Sequence, residues 1–220
     1  MRRLLAAFFL LTITAFVLPT YAQDPGVLYN NGPVCPRSCQ DAWQINGGYL
    51  VTDSLVVNSN ARVTGFDFWT WEYPGDRVLR VEWSISSDPF GGTVYGTGMT
   101  LVHDMPISLN EYGFEIDKVT VTGLNLVLPP GTYWLTLQNA VVSHNDPVYW
   151  DENSGDFCHS PGCPSSADEN SVGTIPSETF DVRGVRLPAS DQQSSAPTSS
   201  GLVWGSLVLG LLATVRRFVV

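Results

Sequence analysis

The sequence predicts an all-β fold, with a single antiparallel β-sandwich of the jelly-roll kind. Short runs rich in valine, threonine and aromatic residues are separated by glycine, proline, asparagine and aspartate. Several runs alternate apolar and polar residues with the period of a strand, and no stretch keeps a helical period over a full window. The candidate strands are 49–57, 62–71, 77–86, 92–102, 114–122, 132–139 and 179–187.

The first 22 residues are predicted to be an export signal. Arg2 and Arg3 precede an apolar run over 4–18, and the small residue Ala22 provides a cleavage site before Gln23. The alternative is an uncleaved membrane anchor, but about 15 apolar residues are short for a span, which needs about 20. We therefore expect an exported protein whose folded domain, 23–188, lies at the cell surface or outside the cell.

Two of the predicted strands show which of their residues face the core. In 77–86 every second residue is large and apolar, and in 132–139 a similar pattern follows a turn at Pro129, Pro130 and Gly131. The predicted core residues of these strands are Leu79, Val81, Trp83, Ile85, Tyr133, Leu135 and Leu137.

Strand 62–71 carries aromatic residues on both faces. Phe66 and Phe68 share one face, and two tryptophans share the other. If the phenylalanines enter the core, the tryptophans form an outward strip, like those that stack sugar rings in carbohydrate-binding sandwiches while nearby carboxylates bind the hydroxyl groups. We favour the alternative, that a covering loop buries both tryptophans, because tryptophan is often largely buried. The candidate ligand-binding residues are Trp69, Trp71, Glu72, Tyr73 and Trp134.

Four cysteines in an exported chain predict disulfide bonds. They are Cys35, Cys39, Cys158 and Cys163. Three connectivities are open, and we favour two local bridges because both pairs are closely spaced and enclose proline or glycine. A zinc site that includes His159 is the alternative, and the oxidising environment outside the cell argues against it.

The loop after Trp150 concentrates oxygen ligands. Asp151, Asn153 and Asp156 are similar to part of a calcium-binding loop, although the glycine and glutamate positions of an EF-hand are not matched. Because weak calcium sites are useful outside the cell, these residues are a candidate structural Ca²⁺ site. The alternative is a solvated acidic loop, and no other cofactor is expected.

The charge of the chain limits its partners. Four of the 11 lysine and arginine residues lie in the two terminal segments, so seven cations stand against 21 acidic residues elsewhere, a net charge of −14. Such a surface repels phosphate backbones and anionic lipids, which argues against nucleic acid and leaves only the C-terminal tail to contact a membrane.

The sequence carries no motif for a serine or cysteine nucleophile and no phosphate-binding loop. No catalytic residue is therefore assigned. The enzymatic alternative is a glycan hydrolase that uses two carboxylates beside Trp69 and Trp71, since acids such as Glu72 and Asp151 are available to form such a pair.

The chain ends in a polar linker, 189–200, and an apolar predicted helix, 201–220, with Arg216 and Arg217 near its end. This arrangement resembles bacterial exported proteins with PEP-CTERM-type sorting tails, which are handled by exosortase-like membrane proteases. Ala196-Pro197-Thr198 stands where Pro-Glu-Pro would be expected, so the recognition motif is degenerate. The alternative is a C-terminal anchor that is never cut.

The folded part resembles a recurring domain of exported proteins with such tails, over most of 47–187. The resemblance implies a β-sandwich at the cell surface and no established activity. We therefore expect a non-enzymatic interaction or matrix component that binds polysaccharide, with a purely structural surface module as a further alternative. The segments that carry the resemblance are Gly65-Phe66-Asp67-Phe68-Trp69-Thr70-Trp71, Ser87-Asp88-Pro89-Phe90-Gly91-Gly92-Thr93, Gly131-Thr132-Tyr133-Trp134-Leu135 and Tyr149-Trp150-Asp151-Glu152-Asn153.

Overall fold

The computed structural model describes residues 26–32, 34, 41–153, 158 and 160–188. These residues form an all-β domain with two antiparallel sheets, as in a β-sandwich, which confirms the predicted all-β class. The predicted export signal, linker and apolar tail lie outside them, as do Cys35, Cys39, Asp156 and His159. Within the described ranges, no helix has the length and apolar character needed to cross a membrane.

The strands of the described residues are β1 Gly26–Asn30, β2 Ala42–Gln44, β3 Leu50–Val57, β4 Ala61–Glu72, β5 Val78–Asp88, β6 Gly91–Leu101, β7 His103–Leu109, β8 Glu115–Leu128, β9 Gly131–Val142, β10 Tyr149–Asp151, β11 Ala167–Glu169, β12 Gly173–Ile175 and β13 Phe180–Arg186. All seven predicted strands are present. The strands that the sequence pattern missed, β1, β2, β7, β10, β11 and β12, have three to seven residues.

Strand β4 is the centre of the first sheet. One edge of β4 pairs with β8 along its whole length, and β8 pairs in turn with β7. The other edge pairs with β13 from Ala61 to Phe68 and then with β10 at Thr70 and Trp71. β1 lies beside β13, and β2 lies beside β10. The second sheet has the order β12-β11-β3-β9-β5-β6.

The hydrophobic core lies between the inner faces of the two sheets. Phe66 of β4 meets Trp83 of β5 edge to face, with ring centroids 6.0 Å apart. Both residues are buried, as are Tyr133, Leu135 and Leu137 of β9, which confirms the predicted inward faces of these strands. A large aromatic side chain contributed by each sheet therefore joins the two layers.

Leu79 is not a core residue, contrary to the sequence pattern. Its side chain is 47% exposed, whereas Val78 is buried. The register between β5 and β9 shifts between Val78 and Arg80. Because a bulge inserts an extra residue, it exchanges the two faces of the strand at this point, and strict alternation therefore fails.

Two glycines allow strands to approach closely at irregular positions. The register of β4 shifts beside Gly65, where an added Cβ would lie 2.3 Å from the carbonyl oxygen of Val121. The register of β13 shifts at Gly184, where a Cβ would lie 2.0 Å from the carbonyl oxygen of Arg62. A larger residue at Gly65 would push β8 away from β4, and one at Gly184 would push β13 away from β4.

The first and last described strands lie at one end of β4. Gly26 of β1 pairs with Gly184 of β13, and Arg186 pairs with Ala61, the first residue of β4. The other end of β4 carries Trp71 and Glu72. The chain therefore enters and leaves the sandwich far from these two residues.

Candidate functional site

Aromatic side chains surround a cleft where β4 ends. Trp71 is paired with Tyr149 of β10, and Ala42 of β2 follows on the far side of β10. Phe114, just before β8, completes the wall. The resulting cavity of about 170 Å³ is lined by Asp41, Ala42, Trp71, Phe114 and Tyr149, and we call it the aromatic cleft.

The rings of the cleft contact one another. Phe114 lies with its ring centroid 5.8 Å from Trp71, 5.2 Å from Tyr73 and 6.0 Å from Tyr149. Tyr112 stacks on Trp71 at 5.7 Å and is 51% exposed. Ring pairs at these separations are mutually attractive, so the cleft has a preformed aromatic surface.

The turn before β8 holds Tyr112 and Phe114 in place. The side-chain oxygen of Asn110 accepts hydrogen bonds from the backbone N–H groups of Tyr112 (3.0 Å) and Phe114 (2.9 Å). An asparagine side chain commonly stabilises a turn in this way. This turn is the covering loop that the sequence left as an alternative.

The covering loop affects the two predicted tryptophans differently. Trp71 is only 8% exposed, and its indole N–H donates to Asp151. Trp69 is half-buried, and the ammonium group of Lys118 lies 5.3 Å from its ring centroid, a cation–π distance. The structure therefore agrees with the covering-loop interpretation for Trp71, which Tyr112 and Phe114 cover, and leaves Trp69 partly exposed.

The other predicted ligand-binding residues separate in space. Tyr73 is 44% exposed and contacts the cleft through Phe114. Glu72 is buried with the inward-facing residues of β4, because adjacent residues of a strand point to opposite faces. Its predicted place beside the tryptophans is therefore wrong. Trp134 lies half-buried on β9 of the second sheet and is not brought to the cleft.

Glu72 meets two other acids between the sheets. One carboxylate oxygen from each of Glu72, Asp104 and Asp117 lies within 4.8 Å of the other two, and we call this set the carboxylate cluster. Burial and the neighbouring charges raise the pKa of Glu72 and of Asp104 to about 7, and that of Asp117 to about 8. Burial is the largest cause in all three cases, because it disfavours the charged form.

A second buried acidic region surrounds Glu178. Burial raises the pKa of both Asp53 and Glu178 well above the usual range, and the charges of Asp53 and Asp151 add to the effect at Glu178. Asp53 accepts a hydrogen bond from the Glu178 backbone N–H at 2.6 Å. Asn153 lies nearby, and its backbone N–H donates a hydrogen bond to the carbonyl oxygen of Ser177 at 2.6 Å.

Two of the three predicted calcium ligands lie in this region. Asp151 and Asn153 are buried rather than displayed on a solvated loop. Asp156 lies outside the described residues, so calcium binding by this loop stays a prediction. The structure does pair Cys158 with Cys163 in a disulfide bond, which confirms one of the two local bridges that the sequence favours.

A second cleft lies on the outer face of β4. Its volume is about 220 Å³, and it is lined by Thr64, Gly65, Thr122, Gly123 and Arg183. No aromatic ring lines it, so among the described residues the aromatic cleft is the better surface for stacking a flat ligand.

Sequence reasoning missed most residues of the aromatic cleft and two members of the carboxylate cluster. Asp41, Phe114 and Tyr149 line the cleft, and Tyr112 contacts Trp71, only because β2, β10 and the turn before β8 are assembled around β4. The sequence could have predicted that Asp117 faces inward, because it shares the two-residue period of the inward-facing Val119 and Val121. A comparison with models of known protein families and with curated protein sequences finds no match.

Proposed function

We propose that this protein is an exported surface module of jelly-roll-like topology that binds neutral polysaccharide at the aromatic cleft, without catalysing a reaction. The observation that carries the proposal is a connected group of rings at the aromatic cleft: Trp71, Phe114 and Tyr149 line it, and Tyr112 and Tyr73 contact those rings. The apolar face of a sugar ring stacks on such aromatic surfaces, and nearby polar groups bind its hydroxyl groups.

The exposure of individual rings supports this assignment. Tyr112 and Tyr73 present about half of their surface to solvent, at 51% and 44%, while Trp71 is buried against Tyr112. Tyrosine combines an apolar ring with a hydroxyl group that donates and accepts hydrogen bonds. The exposed Asp41 adds a carboxylate at the rim, where it can accept hydrogen bonds from sugar hydroxyl groups.

The size of the cleft limits what it can hold. Its volume of about 170 Å³ is below the roughly 300 Å³ at the lower end of typical small-molecule pockets. The cleft would therefore receive one or two sugar rings of a longer chain rather than enclose a whole ligand. The excess of acidic residues favours neutral over anionic polysaccharides, because like charges repel.

The alternative of a glycan hydrolase needs two carboxylates at the cleft with separate roles as acid and base or nucleophile. Glu72 lies on the opposite face of β4, and the carboxylate of Asp151 accepts a hydrogen bond from the Trp71 indole beneath the rings. These positions favour the binding module over the enzyme.

Affinity electrophoresis of the full chain in gels containing single soluble polysaccharides tests the proposal. At least one neutral polysaccharide should retard the wild-type protein, and Tyr112→Ala or Tyr149→Ala should weaken that binding about tenfold, the loss of a stacked ring. The matched control is Tyr95→Ala on β6 of the second sheet, which removes a ring that is 39% exposed. Equal retardation of all variants, or release of shorter sugars by the wild type, would contradict the proposal.

The proposed location and sorting have a separate test. Export, a sorting protease acting on 201–220 and a cell-surface or extracellular site are supported by the residue patterns at both ends of the chain. Intact mass should be measured on protein recovered from membrane and medium fractions of the native host. A mass that begins at Gln23 and ends near the linker is expected, whereas a membrane-bound form that retains 201–220 would support a permanent anchor.

A further inference from the structure

The carboxylate cluster brings three strands together at one end of the sandwich. Glu72 is the last residue of β4, Asp104 is the second residue of β7, and Asp117 is the third residue of β8. The mutual separation of their oxygens, within 4.8 Å, is found for no other three His, Cys, Asp or Glu side chains in the described parts of the chain.

Several oxygen atoms of the cluster receive no hydrogen bond from residues outside it. Glu72 Oε1 accepts a hydrogen bond from the Thr70 hydroxyl at 2.7 Å, and Asp104 Oδ2 accepts one from the Val78 N–H at 2.6 Å. Glu72 Oε2, Asp104 Oδ1 and Asp117 Oδ1 are buried without a hydrogen-bond partner. Glu72 and Asp117 are both 0% exposed, so these oxygens lie away from bulk solvent.

One arginine lies near the cluster but does not balance it. Arg77 Nη1 lies 3.3 Å from Asp117 Oδ2, and the same atom lies closer, at 2.7 Å, to Glu115 Oε2. One guanidinium group therefore serves two carboxylates, while Glu72 and Asp104 have no ion pair with a lysine or arginine among the described residues. Buried carboxylates without compensation are costly, and a bound cation is one of the ways in which proteins stabilise them.

We propose that the carboxylate cluster binds a calcium ion, at a site distinct from the calcium loop predicted at Asp151. The donors are oxygen atoms only, which suits a hard cation, and the group contains no histidine or cysteine for zinc. Oxygens on opposite sides of a Ca²⁺ ion lie about 4.6–5.2 Å apart, and its irregular coordination accommodates ligands from three strands. Magnesium demands a tighter, nearly octahedral arrangement.

The ion would fix the elements that carry the aromatic cleft. Glu72 follows Trp71 directly, and Asp117 lies three residues after Phe114. Bridging β4, β7 and β8 at this point restrains both sides of the turn that holds Tyr112. The proposal of a calcium site does not rest on polysaccharide binding, because calcium binding is measured directly through the stability of the protein.

Thermal unfolding of the full chain, stripped with a chelator and then titrated with CaCl₂, tests the site. At tenfold excess over the dissociation constant, which for extracellular calcium sites is about 0.1–1 mM, the melting temperature should rise by about 3–6 °C. The same concentration of MgCl₂ should give a smaller rise. No calcium-dependent rise in the wild type would overturn the proposal.

Four variants locate the ion. Asp117→Asn should abolish the calcium response, and Asp104→Asn serves the same purpose if Asp117→Asn does not fold. Asp168→Asn on β11 of the second sheet is the matched control and should respond like the wild type. Asp151→Asn should also keep the response. A response that survives Asp117→Asn and Asp104→Asn, or that is lost only in Asp151→Asn, would overturn the assignment to this cluster.

Discussion

Two buried carboxylates on β4, Asp67 and Glu72, are stabilised in different ways. Asp67 accepts hydrogen bonds from Thr120 (2.6 Å) and Arg183, and Lys118 lies 3.1 Å from its second oxygen. Glu72 has a single donor, the Thr70 hydroxyl, and two acidic neighbours. The charge of Asp67 is thus balanced by side chains of the protein itself, whereas Glu72 belongs to a group of acids that needs protons or a bound cation for balance.

The difference follows from the faces of the strand. Asp67 lies on the outer face with Trp69, where long side chains from β8 and β13 can reach it and keep part of their length in water. Glu72 lies on the inner face, where its polar neighbours are the Thr70 hydroxyl and two further acids. The described residues hold only six lysine and arginine side chains, Arg62, Arg77, Arg80, Lys118, Arg183 and Arg186, and two of them bind Asp67.

Removing a cation from Asp67 should give the largest effect. Arg183→Met leaves a buried carboxylate with less compensation, so the free energy of unfolding should fall by about 3 kcal/mol. Urea denaturation followed by tryptophan fluorescence measures this. Arg186→Met on the same strand is the control, because Arg186 is exposed and its loss should change stability by less than about 0.5 kcal/mol. Similar losses in both variants would show that Asp67 does not depend on Arg183.

Neutralising each acid should change stability in opposite directions. In calcium-free buffer at pH 7, Asp67→Asn should lower the free energy of unfolding by about 2 kcal/mol, because it weakens bonds to two cations. Asp117→Asn should raise the same quantity by about 1 to 2 kcal/mol, because the amide cannot ionise and so removes the cost of placing an acid beside Glu72 and Asp104. Denaturation curves recorded side by side test this. A change of the same sign in both variants would contradict the proposed difference between Asp67 and the carboxylate cluster.

The smallest expected effect concerns Asp181, which lies near Asp67 on the first sheet. Burial, followed by the charge of Asp67, raises the pKa of Asp181 to about 6, while hydrogen bonding to Asn30 and the charges of Lys118 and Arg183 oppose the rise. Because the folded pKa exceeds the unfolded value near 3.8, the folded state binds the proton more tightly. Stability contributed by the protonated form is therefore lost as pH rises from about 4 to 6.

The Asp181→Asn variant isolates that contribution. The difference in unfolding free energy between variant and wild type should grow by about 1 kcal/mol between pH 4 and pH 7, a value reduced for partial exposure. Melting curves across this range give the difference. A constant difference over the range would mean that the environment of Asp181 does not favour its protonated form.

The sequence predicted the long strands because each carries its own period. β4, β5 and β9 have 11 or 12 residues and a clear alternation, so their inward faces were predicted except at the bulge beside Leu79. β2, β10 and β11 have three residues each, and pairing with distant partners defines them. No local pattern can reveal such strands, since the information lies in the partner.

The candidate sites show the same limit. The alternation of side chains along a strand correctly placed Trp69 and Trp71 on the same face of β4. The same alternation, applied to Glu72, would have placed its side chain on the inner face. That Glu72 meets Asp117 depends on the register in which Thr70 pairs with Asp117, and pairing between strands 47 residues apart is not readable from either strand alone. The cover over Trp71 depends on a turn set by Asn110, which resembles any other polar loop in sequence.

The placement of β1 and β13 at the Ala61 end of β4 determines how the molecule can be displayed. β4 runs for 12 residues, so its two ends are about 35 Å apart at the rise of an extended strand. A fusion partner or tag joined directly at Gly26 or Arg186 would therefore meet the sandwich at the end of β4 remote from Trp71.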